Sequence, residues 1–142
     1  FFLYQQERYD EALEKLQVAY DEKALPLAES TTLVQALAQL YTTQKQPIKA
    51  KKLLLNFIEI AESSAKPVPG LHNIYALTAL IYATEQNFDV AYSYINKAIS
   101  LSSSFREDWY QLKFAIEYNK QDFIAAEGSA KILLLNKPNK KI

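Results

Sequence analysis

One spacing constrains this chain more than any other feature. Tyr9, Ala12, Leu16 and Ala19 fall at i, i+3, i+7 and i+10, along one face of a helix. The spacing returns as Phe88, Ala91, Ile95 and Ala98, then as Phe123, Ala126, Ala130 and Leu133. A more degenerate copy reads Pro47, Ala50, Leu54 and Phe57. The small residues that anchor these copies (Ala12, Ala50, Ala91 and Ala126) lie 38, 41 and 35 residues apart. A pattern renewed at such intervals implies stacked supersecondary units, none able to bury its apolar face alone.

A second helical pattern precedes the first. Val34, Leu37, Ala38 and Tyr41 stand 16, 13, 12 and 9 residues before Ala50, and Tyr75, Thr78, Ala79 and Tyr82 stand at the same offsets before Ala91. In this joint spacing the chain resembles the tetratricopeptide repeat (TPR) family over nearly its whole length. The family pattern is large-x2-Leu-small-x2-Tyr on a first helix, A, and Ala-x3-large-x2-Ala on a second, B. The resemblance implies an all-α fold, an α-solenoid of stacked antiparallel helical hairpins, with repeat units near 1–25, 31–64, 72–104 and 107–140. The last copy departs from the pattern. Its helix A positions are Tyr110, Lys113, Phe114 and Glu117, which puts two charges at sites the family usually buries. Shifting by one gives Trp109, Leu112 and Ile116, a better apolar face, and predicts a final inter-helix turn one residue longer.

The spacing predicts helices over 8–23, 30–44, 47–63, 71–85, 88–101, 105–119 and 122–136. Residues 1–5 read as the end of a helix A that begins outside the chain, and 136–142 as the opening of another repeat, so a fragment of a longer array is expected. Breakers fall between the segments: Leu25-Pro26, Gln46-Pro47, Pro67-Val68-Pro69-Gly70 and Lys137-Pro138. Pro47 would open its helix, where a missing N–H costs nothing.

Composition narrows the function classes. The chain has 142 residues, 16 Lys+Arg against 16 Asp+Glu, and 49% hydrophobic residues, enough apolar material for a core. A zero net charge argues against a dedicated nucleic-acid surface and against long-range steering to anionic membranes. Two glycines leave little turn chemistry for a many-stranded β-fold. The absence of cysteine excludes disulfides, thiolate zinc sites and a cysteine nucleophile. No apolar run reaches the ~20 residues that span a bilayer, so no direct membrane insertion is expected.

Catalytic constellations are missing. His72, the single histidine, sits near a predicted helix start with no nucleophile or acid placed to pair with it, so it reads as a helix-entry residue. Ligand shortage argues equally against a metal, and no cofactor is expected. Glu7, Asp10, Glu11 and Glu14 form one row that reads as a solvated stripe rather than a paired-acid site. Lys45, Lys49, Lys51 and Lys52 form the basic cluster; with no aromatic interleaved for base stacking, it suits an acidic partner better than nucleic acid. Tyr9, Tyr41, Tyr82 and Phe88 occupy repeat positions that pack helix A on helix B. Tyr20, Tyr92, Tyr94 and Tyr118 lie off that register and are the aromatics to expect at an interface.

The resemblance to the TPR family also implies a groove lined by helix A. Carried over position by position, it contains Thr32, Gln35, Gln39, Thr42 and Thr43, then Asn73, Ala76, Leu80, Ala83 and Thr84, and finally Asp108, Gln111, Ala115, Tyr118 and Asn119. Arg and Lys, which carboxylate-clamp members of the family use to grip chaperone C-termini, are absent from the first two groups. Amides and hydroxyls both donate and accept, which suits the backbone of an extended peptide. The expected partner-binding residues are Gln35, Gln39, Thr43, Asn73, Thr84, Gln111, Tyr118 and Asn119. A narrower resemblance lies in Arg106-Glu107-Asp108-Trp109-Tyr110-Gln111-Leu112, Phe123-Ile124-Ala125-Ala126 and Asn136-Lys137-Pro138-Asn139-Lys140-Lys141. These segments are similar to the TPR protein that accompanies TonB-type energy-transduction systems of Gram-negative bacteria, which implies a periplasmic location and partners in an inner-membrane transducer complex. The expected function is therefore a non-catalytic scaffold for a protein or peptide partner. The alternative is a regulatory or substrate-docking segment of a larger enzyme.

Overall fold

A computed structural model of the chain describes residues 2–22 and 27–136, with side chains for 6–22 and 29–136. The described residues form seven α-helices and no strand: α1 (Phe2–Asp21), α2 (Leu27–Thr43), α3 (Pro47–Glu62), α4 (Leu71–Thr84), α5 (Phe88–Leu101), α6 (Glu107–Asn119) and α7 (Phe123–Leu135). Neighbouring helices pack pairwise, α1 on α2, α2 on α3, α5 on α6 and α6 on α7, in a repeat-like, all-α arrangement. The chain divides into two compact units, Phe1–Ile74 and Tyr75–Ile142, with the boundary inside α4.

In unit 1, α2 and α3 bury the apolar positions the spacing marked. Val34, Leu37, Ala38, Ala50, Leu54 and Phe57 are all almost completely buried. Each large one contributes about 1.5–3 kcal/mol through removal from water. The long link after α3 folds back against α2. Val68 is buried, and Thr31 Oγ1 donates to the carbonyl of Pro69 at 2.9 Å. Gly70 permits this approach in two ways. Its φ of 82° is one that side chains disfavour, and a Cβ there would lie 2.8 Å from Thr31 Cγ2. The N-terminal reading needs correction: residues 2–21 are one continuous helix, not the end of a helix A followed by a separate helix 8–23. Nothing in Phe2-Leu3-Tyr4-Gln5-Gln6-Glu7 is a glycine or proline that would end it.

In unit 2 the same logic buries Tyr75, Thr78, Ala79, Ala91, Ile95 and Ala126. Tyr94 stacks on both Tyr75 and Tyr82, each at 6.0 Å between ring centroids. Expected at an interface, it is half-buried and its ring is engaged within the α4/α5 hairpin. Trp109 is buried beneath Arg106, whose Cζ lies 4.2 Å from the ring centroid.

Three inter-helix links are built alike. Between α2 and α3, Lys45 adopts φ 61°; between α4 and α5, Gln86 adopts φ 64°; between α6 and α7, Gln121 adopts φ 63°. In each, the N–H of the next residue reaches back to the carbonyl five positions earlier: Gln46 to Tyr41, Asn87 to Tyr82, Asp122 to Glu117, at 2.8, 2.9 and 2.9 Å. The left-handed residue's own N–H bonds three positions back, to Thr42, Ala83 and Tyr118. This is a Schellman ending, which satisfies carbonyls the helix would otherwise leave open. The third link therefore has the same length as the others, and the expected extra residue is not there. Glu117 takes the place that Tyr41 and Tyr82 hold in the earlier hairpins.

Three substitutions test this account by thermal or denaturant unfolding. Ala91→Leu is expected to overpack a close helix contact and cost about 1–3 kcal/mol, whereas exposed Lys52→Ala stays within about 0.5 kcal/mol. Gln86→Gly relieves a left-handed backbone that costs a side-chain-bearing residue about 1–2 kcal/mol. That exceeds the roughly 0.5–1 kcal/mol that glycine's freedom in the unfolded chain takes back, so stability should rise by up to ~1 kcal/mol; a fall would contradict the turn geometry.

Candidate functional site

Helix α2 places Gln35, Gln39 and Thr43 at i, i+4 and i+8, one above another on a single face. Its opposite side, Val34, Leu37 and Ala38, is buried, so the row is left outward; Gln39 and Thr43 are exposed and Gln35 half-buried. Asn73 lies in the first turn of α4, half-buried, and Thr84 in its last, exposed. In unit 2, Gln111, Ala115 and Tyr118 share one exposed face of α6, with Asn119 beside them.

Hydrogen bonding sorts these residues. Thr43 and Thr84 hydroxyls donate to the carbonyls of Gln39 and Leu80 in their own helices, at 2.9 and 2.8 Å, and the Asn119 amide donates to Ala115 at 2.8 Å. The amide of Gln111 is held at 3.0 Å by Glu107. The two threonines have spent their only donor hydrogen, and each of the two amides has one of its two N–H donors engaged. The amides of Gln35, Gln39 and Asn73 have no hydrogen-bond partner among the described residues. These three keep both functions.

Tyr118 is 59% exposed and belongs to a larger aromatic surface. Phe123 meets it edge-on at 5.5 Å, and Phe114 lies 6.1 Å away on the other side. Phe123 is 57% exposed and Ile124 88%, so the apolar surface continues onto α7. Sequence spacing assigned Phe123 to a packing position and so hid this extension. Tyr9 is another case: expected to pack, it is 43% exposed.

Tyr92, expected at an interface, instead enters a polar cluster inside unit 2. Glu117 is 1% exposed and accepts from Tyr92 Oη at 2.6 Å, Lys113 Nζ at 2.9 Å and Ser129 Oγ at 2.6 Å. Three helices meet on one carboxylate. Lys120 lies 4.6 Å above the Tyr92 ring and pairs with Asp89 at 3.1 Å, extending the network outward. Burial alone would raise the Glu117 pKa; the hydrogen bonds from Ser129, Tyr92 and Lys113, with the lysine's charge, outweigh it and hold the pKa below the usual 4.5. For Lys113, partial burial pulls the pKa down, but the bond and charge of Glu117 carry it above the usual 10.5. Tyr92 is raised by burial first and then by its bond to Glu117. Lys113 and Glu117 were visible in the sequence as charges at apolar positions; Ser129 gave no comparable signal.

At the centre of the cluster no buried side-chain polar atom lacks a hydrogen-bond partner among the described residues. His72 sits in the first turn of α4. Among the described residues no group of His, Asp or Glu side chains is arranged to hold a metal ion, and no helix is long and apolar enough to cross a membrane. No protein-family profile, curated protein or solved structure matches the chain.

The cluster makes a pH prediction. Because folding lowers the Glu117 pKa, the stability it contributes is complete above about pH 4.5 and is lost as pH falls through the lowered value. Glu117→Gln is expected to cost about 2–4 kcal/mol at pH 7, by leaving Lys113 without its counter-charge. The gap between wild type and variant should narrow as pH falls from 6 toward 3 in denaturant titrations. A gap independent of pH would mean that the carboxylate is not held ionised.

Proposed function

We propose that this chain is a non-catalytic protein-interaction scaffold, its hairpins being TPR-like repeats stacked as an α-solenoid and its helix A faces serving as the binding surface. The observation that carries this reading is the row on α2: Gln35 and Gln39 stand outward on successive turns with unused amides, over a helix whose other side is buried. Unpartnered amides at regular spacing suit the backbone of an extended peptide, which needs a donor and an acceptor at each step. In unit 2 the Tyr118–Phe123 pair adds an aromatic anchor of the kind that dominates interface energies. The resemblance of the 106–112, 123–126 and 136–141 segments to the TPR protein of TonB-type systems suggests a periplasmic transducer complex as the partner class to test first.

The test is affinity capture from Gram-negative periplasm followed by calorimetric titration of the recovered partner. Gln35→Ala with Gln39→Ala, and Tyr118→Ala, are expected to weaken binding by about 1–3 kcal/mol each, through partner groups left unsatisfied or an anchor removed. Binding should change little between low and high salt. Loss confined to a Lys49→Ala, Lys52→Ala variant, with steep salt dependence, would overturn the reading.

A further inference from the structure

The cleft between α1 and α3 in unit 1 carries chemistry that the helix A rows do not use. Two hollows of ≈ 290 and ≈ 410 Å³ share Gln17, Tyr41 and Lys49 and so form one trough. The first hollow is walled by Asp10 and Glu14, the second by Lys52 together with Tyr20 and Asn56. Buried Leu13 and Leu53 supply apolar floor.

Hydrogen bonds fix the trough's width. Tyr41 Oη donates to Gln17 Oε1 at 2.7 Å, joining α2 to α1, and Tyr20 Oη donates to Asn56 Oδ1 at 2.9 Å, joining α1 to α3. Gln17 in turn donates to Asp21 at 2.9 Å, which partly satisfies the one carboxylate near the basic end. Lys49 is poised 6.0 Å from the Tyr41 ring centroid, and neither Lys49 nor Lys52 makes an ion pair among the described residues. The trough is therefore acidic at its Asp10–Glu14 end and carries its two cations from the shared middle, at Lys49, to the far hollow, at Lys52, where Asp21 is the one carboxylate. Asp10 to Asp21 covers about 16 Å of α1 at 1.5 Å per residue, the reach of about five extended residues at ~3.3 Å each.

We propose that this trough binds an extended segment of a partner protein carrying a basic residue at one end, an acidic residue four positions away and an apolar residue between them. The basic side chain meets Asp10 and Glu14, the acidic one meets Lys49 and Lys52, and the apolar one covers the leucine and tyrosine floor. A segment of uniform charge mismatches one end or the other. Gln35, Gln39 and Thr43 line neither hollow, so this site stands or falls independently of the helix A surface.

Fluorescence anisotropy with labelled, end-blocked peptides tests the proposal. The probes are a five-residue peptide with lysine first and glutamate last around a central leucine, its reversed-order twin, and versions with lysine or with glutamate at both ends. One mixed-charge order is expected to bind saturably and at least tenfold more tightly than either uniform peptide. Lys49→Glu with Lys52→Glu, and separately Asp10→Lys with Glu14→Lys, should each weaken it tenfold or more, with the helical circular dichroism unchanged. The second pair should also strengthen binding of the glutamate-ended peptide. Equal binding of mixed and uniform peptides, no saturable binding of either mixed order, or affinity indifferent to both charge reversals would overturn the proposal.

Discussion

The close approach of paired helices at Ala50, Ala91 and Ala126 is the contact on which the rest depends. Each alanine is almost wholly buried, and each follows a left-handed link residue by five positions. A methyl at the crossing lets one helix backbone come near the other, and the Schellman link fixes the direction in which the second helix leaves. Once these two are set, the apolar positions of both helices face inward. The polar positions of the first helix are left outward, which is why Gln35 and Gln39 stand where they do.

The same geometry explains how a carboxylate can occupy a place that holds tyrosine in the other hairpins. The backbone carbonyl of residue 117 closes the link to α7 as those of Tyr41 and Tyr82 close theirs, and the Glu117 side chain is buried where the two tyrosines are half-buried. Burying an unpaired carboxylate would cost several kcal/mol. Three donors from α5, α6 and α7 offset that, and all three have to be in place together. Such a cluster is weak evidence for added stability against an apolar alternative, but it discriminates sharply among helix registers, because a shift of one residue strands the charge.

Much of the fold was legible because its signal is periodic. From α3 onward the observed helix bounds lie within two residues of those expected from the spacing of Ala50, Ala91 and Ala126 and from Pro47, which opens α3. What was not legible depends on pairings across the fold. Tyr92 and Tyr94 lie off the repeat register and looked like surface residues, yet one bonds Glu117 and the other stacks on Tyr75 and Tyr82. The one-residue shift proposed for α6 followed from treating Lys113 and Glu117 as misplaced, since a sequence does not display the serine and tyrosine that neutralise them. The rows of polar residues were found by position, but the division between free amides and those already engaged by Glu107 or a helix carbonyl needed coordinates. The α1/α3 trough, built from three helices, left in the sequence only the lysine cluster of one wall and the acidic stripe of the other.

Residue-resolved hydrogen exchange under native conditions tests the repeated hairpin most directly. Gln46, Asn87 and Asp122 lie outside the helices, so in ordinary loops their amides would exchange freely with solvent. Bonded to the carbonyls of Tyr41, Tyr82 and Glu117, they should instead be protected alongside the neighbouring helix interiors, all three alike. Exchange at the rate of an open chain at these amides, or protection at only one of them, would contradict a fold built on one hairpin used again.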